Sequence, residues 1–214
     1  MNNADILILT QWLSPAYPVG SFSFSHGLET AISDGRIKSA GDLENWLGSV
    51  IEFGSGRSDV ILLSAAYRAD SGAQVHEINE LSQALCPSKE RLEETLSQGA
   101  SFARTTNAIW GTELVAGTYP VAVGQAAALK NIDLETIAYL YLHSFASNLV
   151  SGAVRLVPLG QTEGQSCLDA LSETCIRTAK EGLHASLEDL GTCAFASDIA
   201  SMKHETQTVR IFQS

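Results

Sequence analysis

Hydrophobic residues recur at the three-to-four-residue spacing of a helix along most of the chain, and the alternation typical of a β-strand hardly appears. The clearest helix follows Ser39 and Asp42, which together form a capping box at its start. Its apolar residues predict one buried stripe: Leu43, Trp46, Leu47, Val50 and Ile51. This pattern predicts an all-α protein.

Prolines, glycines and capping residues divide the pattern into about ten helices. They are predicted near residues 6–13, 22–32, 43–51, 60–68, 75–85, 89–103, 121–129, 134–154, 165–180 and 198–204. No repeat, low-complexity tract or linker separates them. We therefore expect a single-domain helical bundle over residues 1–204, with residues 205–214 as a carboxyl-terminal tail of the same domain.

The segment 14–29 combines two prolines with a polar, aromatic-marked helix. Pro15 and Pro18 favour extended backbone before them, and the helix is predicted to begin near Phe22. Its spacing predicts one apolar face and a second face that bears Phe22, His26 and Glu29, with Ser25 at its edge. Gly27 in the middle of this helix costs about 1 kcal/mol relative to alanine, so we expect another backbone to pass close to it.

The chain of 214 residues is acidic, with a formal net charge of −11. Nucleic acids and anionic membranes attract basic surfaces, so neither is expected as a partner. The four cysteines form no C-x-x-C pair, and Cys167 and Cys175 are predicted to share one buried helix face. No basic segment precedes an apolar run at the amino terminus, which together with unpaired thiols predicts a cytoplasmic protein.

One stretch, residues 136–154, carries no formal charge over a length close to a membrane span. Its serines, Asn148 and His143 make it too polar for a helix surrounded by lipid. We expect it at the centre of the bundle or in a dimer contact, with His143 hydrogen-bonded in the core. By contrast, the charged residues 89–94 are predicted to form a solvated helix face.

Catalytic and metal-binding arrangements are weak in this sequence. Ser25, His26 and Glu29 imitate a catalytic triad in composition, but neighbours along one helix cannot line up as nucleophile, base and orienting acid. The glycines at 54 and 56 lack the spacing and the lysine of a P-loop. Of the five histidines, His26 and His204 could be transient ligands, although hydrogen bonding to helix ends or to a partner is favoured. We expect no enzyme activity, no cofactor and no metal site.

The carboxyl-terminal tail mixes polar residues with Val209, Ile211 and Phe212 around a lone Arg210. Apolar residues near a terminus are usually docked against something, either the protein's own bundle or a partner. The sequence favours neither alternative. In both cases Arg210 can pair with a carboxylate.

Three stretches in order resemble the urease accessory protein UreF family. They are residues 14–29, read as Ser-Pro-x-x-Pro-Val-Gly-x-Phe-Ser-x-Ser-x-Gly-Leu-Glu, then 155–162 and 199–207. Within the family's tail motif, Thr208 stands where an aromatic residue is usual and Gln213 where an arginine is usual. These two departures bear on how tightly the tail grips its partner.

The resemblance implies an all-α homodimer without catalytic activity that acts in nickel-dependent maturation of urease. Such proteins bridge a UreD/UreH-type accessory protein and the GTPase UreG during nickel delivery to apo-urease, and are proposed to regulate GTP hydrolysis. The family's tail becomes ordered on the UreD/UreH-type partner. The partner-binding residues predicted here are Phe22, Ser25, His26, Glu29, Met202, His204, Glu205, Arg210 and Phe212. A helical enzyme using Ser25, His26 and Glu29, or a nickel-binding protein, remains the alternative.

Overall fold

Helix boundaries in the computed structural model, which describes residues 3–214, follow the capping and breaking residues closely. Eleven α-helices and two short 3-10 turns, Ser21–Ser23 and Leu187–Asp189, occur within this range, and no strand occurs in it. The helices are α1 Asn3–Trp12, α2 Leu28–Ser33, α3 Ala40–Phe53, α4 Ser55–Arg68, α5 Gly72–Ala84, α6 Lys89–Trp110, α7 Tyr119–Leu129, α8 Leu134–Val154, α9 Gln161–Ala170, α10 Ser172–His184 and α11 Phe195–His204. The predicted all-α, single-domain bundle is confirmed.

Side-chain caps set several helix starts. The capping box of Ser39 and Asp42 is present at α3, and Ser88 accepts the Arg91 N–H at the start of α6. Asp133 accepts the Thr136 N–H at the start of α8. Each cap satisfies a backbone donor that has no partner inside the helix, so the sequence specifies these boundaries locally.

The core is built around α4, α7 and α8, where small residues allow close packing. A side chain at Gly124 on α7 would place its Cβ 2.3 Å from the Leu63 carbonyl oxygen on α4. Aromatic rings fill the space beside these helices, with Phe102 packed edge-on against both Trp12 and Tyr119. Such geometry is the preferred one for aromatic pairs. The alanine- and glycine-rich α7 therefore packs closely against α4.

The opening segment differs from the predicted continuous helix. Residues 21–23 form only a 3-10 turn, and α2 begins at Leu28 after Gly27, whose φ is +75°. A glycine adopts this left-handed conformation without strain, so it ends the turn region rather than sitting inside a helix. The expected close backbone is present: a Cβ at Gly27 would lie 2.7 Å from the Ser201 nitrogen on α11.

Two further predictions are wrong in detail. The helix predicted over 165–180 is two helices, α9 and α10, separated at Leu171, although Cys167 and Cys175 are both buried as expected. His143 is exposed on α8 rather than hydrogen-bonded in the core. It lies on the outer face of α8, whereas Tyr141 and Leu142 point inward.

Within residues 3–214, every helix is too short or too polar to cross a bilayer.

Candidate functional site: buried charges that hold the tail

The tail, residues 205–214, lies on the bundle, and the side chains of its last four residues alternate between solvent and the protein interior. Val209 is 82% exposed and Ile211 is 71% exposed, whereas Phe212 is 3% exposed and Ser214 is fully buried. An extended segment places successive side chains on opposite sides, which explains the alternation. Docking on the protein's own bundle therefore accounts for Phe212, and it leaves Val209 and Ile211 uncovered.

Glu29, in the first turn of α2, is the main anchor of the tail. Its Oε1 accepts the Ile211 N–H at 2.7 Å, and its Oε2 accepts the Phe212 N–H at 2.9 Å. The same Oε2 lies 3.2 Å from His204 Nε2. Glu29 is buried, so its oxygens replace water for two backbone donors that the extended tail cannot satisfy itself.

His204, the last residue of α11, connects Glu29 to α6. Its Nδ1 lies 2.6 Å from Glu90 Oε2, and Arg210 Nη1 donates to the other oxygen of Glu90 at 2.6 Å. The side chain of His204 has no exposed surface. The ring therefore lies between two carboxylates, each within hydrogen-bonding distance of one ring nitrogen. The predicted carboxylate partner of Arg210 is therefore Glu90.

Ser214, the last residue of the tail, is held by Ser25 and Glu94. The Ser25 N–H donates to the Ser214 carbonyl oxygen at 2.7 Å, and the Ser25 hydroxyl contacts that oxygen as well. The Ser214 hydroxyl donates to Glu94 Oε2 at 2.6 Å. Both hydroxyl groups are thus engaged within the buried site.

The prediction that residues 89–94 form only a solvated face is wrong. Glu90, Arg91 and Glu94 are buried on the inner side of α6, where Arg91 pairs with Glu94. Burial raises the pKa of Glu94, but Arg91 and His26 together lower it well below its usual range. Sequence spacing contained a signal for this inner face, because Glu94, Gln98 and Phe102 recur at four-residue intervals.

Phe212 is the apolar anchor of the tail. Its ring lies under the Arg155 guanidinium, 4.6 Å from ring centroid to Cζ, and its edge faces Gly152 on α8. Arg155 also donates through Nη2 to the Phe22 carbonyl oxygen at 3.0 Å. Arg155 therefore joins the Ser21–Ser23 turn to the tail by a cation–π contact and a hydrogen bond.

Exposed apolar side chains occur on the tail, on α11 and on the Ser21–Ser23 turn. Phe22 is 63% exposed. It lies beside the tail, because the Gln213 N–H donates to the carbonyl oxygen of the next residue, Ser23, at 2.8 Å. On α11, Phe195, Ile199 and Met202 recur at helical spacing and are also exposed. We call the exposed side chains of Phe22, Phe195, Ile199, Met202, Val209 and Ile211 the tail surface. Exposed apolar side chains on successive segments of a chain are a common feature of protein–protein contacts.

The residues predicted as partner-binding thus divide into two groups. Ser25, His26, Glu29, His204 and Phe212 are buried and hold the tail, whereas Phe22, Met202, Glu205 and Arg210 have exposed surface. Their role towards a partner stays a prediction. Sequence reasoning missed a further group of residues that hold the tail: Glu90, Glu94 and Arg155.

Ser25, His26 and Glu29 do not come together as a catalytic triad. Ser25 faces Ser214, Glu29 faces the tail backbone, and His26 Nε2 lies 2.6 Å from the hydroxyl of Ser55. Across residues 3–214, three or more His, Cys, Asp or Glu side chains never converge in a way that could hold a metal ion.

Asp59 on α4 makes the stability of the folded protein depend on pH. Its Oδ2 accepts the Tyr141 hydroxyl at 2.8 Å, and burial raises the pKa of Asp59 to about 6. The folded carboxyl holds its proton more tightly than the unfolded one, whose pKa is about 3.9. The carboxyl therefore favours folding at low pH, and this contribution is lost as the pH rises through about 6.

We expect Asp59→Asn to remove this pH dependence. In the wild-type protein, the contribution of Asp59 to the free energy of unfolding falls by about 1 kcal/mol as the pH rises from about 5 to about 7. Urea unfolding of both proteins across that range measures the difference. A variant whose stability changes with pH as the wild type does would contradict the assignment.

Comparison with known proteins agrees with the motifs. The sequence profile of the UreF family matches residues 37–172. Relatives with the name urease accessory protein UreF include one from Cereibacter sphaeroides, 49% identical over 213 residues, which cover 99% of this chain and 100% of the relative. One from a Ruegeria strain is 50% identical over 214 residues, the full length of both chains. One from Roseobacter denitrificans is 47% identical over 214 residues, or 100% of this chain and 96% of the relative. The chain belongs to the UreF family of urease accessory proteins.

Proposed function

We propose that this protein is an accessory factor in the nickel-dependent maturation of urease and that it acts by contact rather than by turnover. Full-length similarity to proteins named urease accessory protein UreF supports the accessory role. In this proposal the protein bridges a UreD/UreH-type protein and the GTPase UreG. The assembly regulates GTP hydrolysis and delivers nickel to apo-urease in the cytoplasm.

The observation that carries this proposal is the fixed, uncovered tail. Glu29, Glu90 and Glu94 hold the backbone and the buried side chains of the tail, while Val209 and Ile211 stay exposed. A segment that is already ordered loses less conformational entropy on binding than a free one. Exposed aliphatic side chains on such a segment are suited to insert into pockets of the UreD/UreH-type partner.

A homodimer is part of the proposal. The outer face of α8 carries Leu140, His143 and Ser151, which are all exposed and include no Asp, Glu, Lys or Arg. The chain has a net charge of −11, so two copies repel one another where acidic surfaces meet. This face of α8 is therefore the surface that we propose for a second copy.

Removing the end of the tail tests the proposal. The cut belongs after Thr206, because His204 is buried against Glu29 and Glu90 and must be kept. We expect the shortened chain to keep its helical circular dichroism and to lose co-elution with the UreD/UreH-type protein in size-exclusion chromatography. Unchanged co-elution of a folded, shortened chain would overturn the role given to the tail.

A further inference from the structure

A second cavity lies apart from the tail surface, and its wall holds a serine against a histidine. The cavity has a volume of about 140 Å³ and lies between α4, α6 and the segment before α11. His26 and Ser55 line it, with Ser55 Oγ 2.6 Å from His26 Nε2. Ser55 is the first residue of the 14-residue helix α4 and is partly accessible, whereas His26 is buried.

The groups around His26 fix which nitrogen carries the proton. His26 Nδ1 lies 3.6 Å from Glu94 Oε1, too long for a hydrogen bond, and it has no other polar partner. Desolvation, followed by the charge of Arg91, lowers the pKa of His26, while Glu94 opposes this shift. A neutral ring beside a carboxylate keeps its proton on Nδ1. Nε2 is then the acceptor, and the Ser55 hydroxyl is the donor.

The backbone adds two features that suit a reactive site. His26 is held at a φ of +60°, a conformation that a non-glycine residue rarely adopts and that clusters at functional sites. Ser55 lies at the start of α4, where backbone N–H groups of the first turn point away from the helix without intrahelical partners. Such donors stabilise an oxyanion that forms next to the serine.

We propose that Ser55 is an activated nucleophile, with His26 as its general base, and that it accepts short acyl groups. When an acyl ester enters, Ser55 Oγ forms a bond to the carbonyl carbon, and the hydroxyl proton passes to His26 Nε2. The bond from that carbon to the leaving oxygen then breaks, and the leaving oxygen takes the proton from His26. The cavity limits the acyl group, because a cavity of about 150 Å³ holds a molecule the size of benzene.

This site differs from the Ser25, His26 and Glu29 combination that the sequence suggested, because the serine comes from another helix. It needs no partner protein and is independent of the accessory role. A single covalent modification of Ser55 is enough for the proposal, with or without later hydrolysis.

Methanesulfonyl fluoride, a small electrophile that fits the cavity, tests the proposal on the full chain. Ser55 Oγ displaces fluoride from sulfur, and the proton leaves with fluoride as HF. Intact-mass spectrometry should show one added methylsulfonyl group, and peptide mapping should place it on Ser55. General-base assistance contributes about 100-fold or more, so Ser55 should react at least that much faster than Ser71, whose hydroxyl caps α5 by accepting the Gln74 N–H.

Variants separate a reactive pair from a structural one. Ser55→Ala should abolish the modification and Ser71→Ala should leave it unchanged, with folding of each checked by circular dichroism. His26→Asn suits the positive φ and should slow labelling by about 100-fold. The labelling rate of the wild type should rise with pH and reach its plateau before about pH 6.5. The reason is that His26 must be neutral to act as the base, and its pKa is lowered. Labelling spread over several serines, or retained in folded Ser55→Ala, would overturn the proposal.

Discussion

Replacing Glu29 with alanine is expected to lower the free energy of unfolding by about 3 to 5 kcal/mol and to release the tail. The substitution removes the acceptor of two tail N–H groups and one of the two carboxylates at His204. Each buried donor that loses its partner costs about 1 to 3 kcal/mol. Because the donors belong to the tail and to the end of α11, their loss should free residues 207–214 first.

Two measurements separate these effects. Urea unfolding gives the change in stability, and hydrogen exchange at the Ile211 and Phe212 amides reports whether the tail has been released. Glu29→Gln keeps the side-chain volume and one acceptor oxygen, so we expect a smaller loss of stability.

A matched control is Glu52→Ala, which removes a partly exposed carboxylate paired with Arg177 and should cost no more than about 1 kcal/mol. If Glu29→Ala unfolds at the same urea concentration as Glu52→Ala and keeps both amides protected, Glu29 is not the anchor of the tail.

Local sequence signals were sufficient for most of the fold. The capping box at Ser39, the cap at Asp133 and the break at Gly54 act over a few residues, so their effects can be deduced without tertiary structure. The close backbone at Gly27 could also be predicted, since a glycine in an otherwise apolar, helical pattern usually marks a close approach. The identity of the approaching chain, Ser201 on α11, depends on packing across the bundle.

The buried charges could not be predicted in the same way. Glu90 and Glu94 belong to a run that has the composition of a solvated helix face, and their partners are far along the chain at His204, Arg210 and Ser214. Charged residues are rarely buried unless they are paired, and the pairing exists only in the folded protein. The same limit explains why Ser55 was not linked to His26 from the sequence.

Introducing a charge at Ile211 should weaken binding of the UreD/UreH-type protein by about 100-fold or more and leave the fold intact. Ile211 is 71% exposed, and only its backbone is used, through its N–H bond to Glu29. Ile211→Asp keeps that N–H, so the tail should stay docked. The aspartate would have to lose its water when a partner covers the tail surface, which costs several kcal/mol without a compensating cation.

The chain offers a control with the same exposure. Leu7 on α1 is also 71% exposed and lies outside the tail surface. Leu7→Asp introduces the same change in charge and polarity, so both variants share any effect of net charge on association. Unfolding curves should place both variants within about 0.5 kcal/mol of the wild type.

The most direct measurement is the dissociation constant of the UreD/UreH-type protein for the wild type, Ile211→Asp and Leu7→Asp, determined by titration calorimetry at one salt concentration. If the protein works through contacts of its docked tail, Ile211→Asp alone should lose affinity. Equal affinity for all three proteins, or an equal loss of affinity in both variants, would contradict the binding role given to the tail.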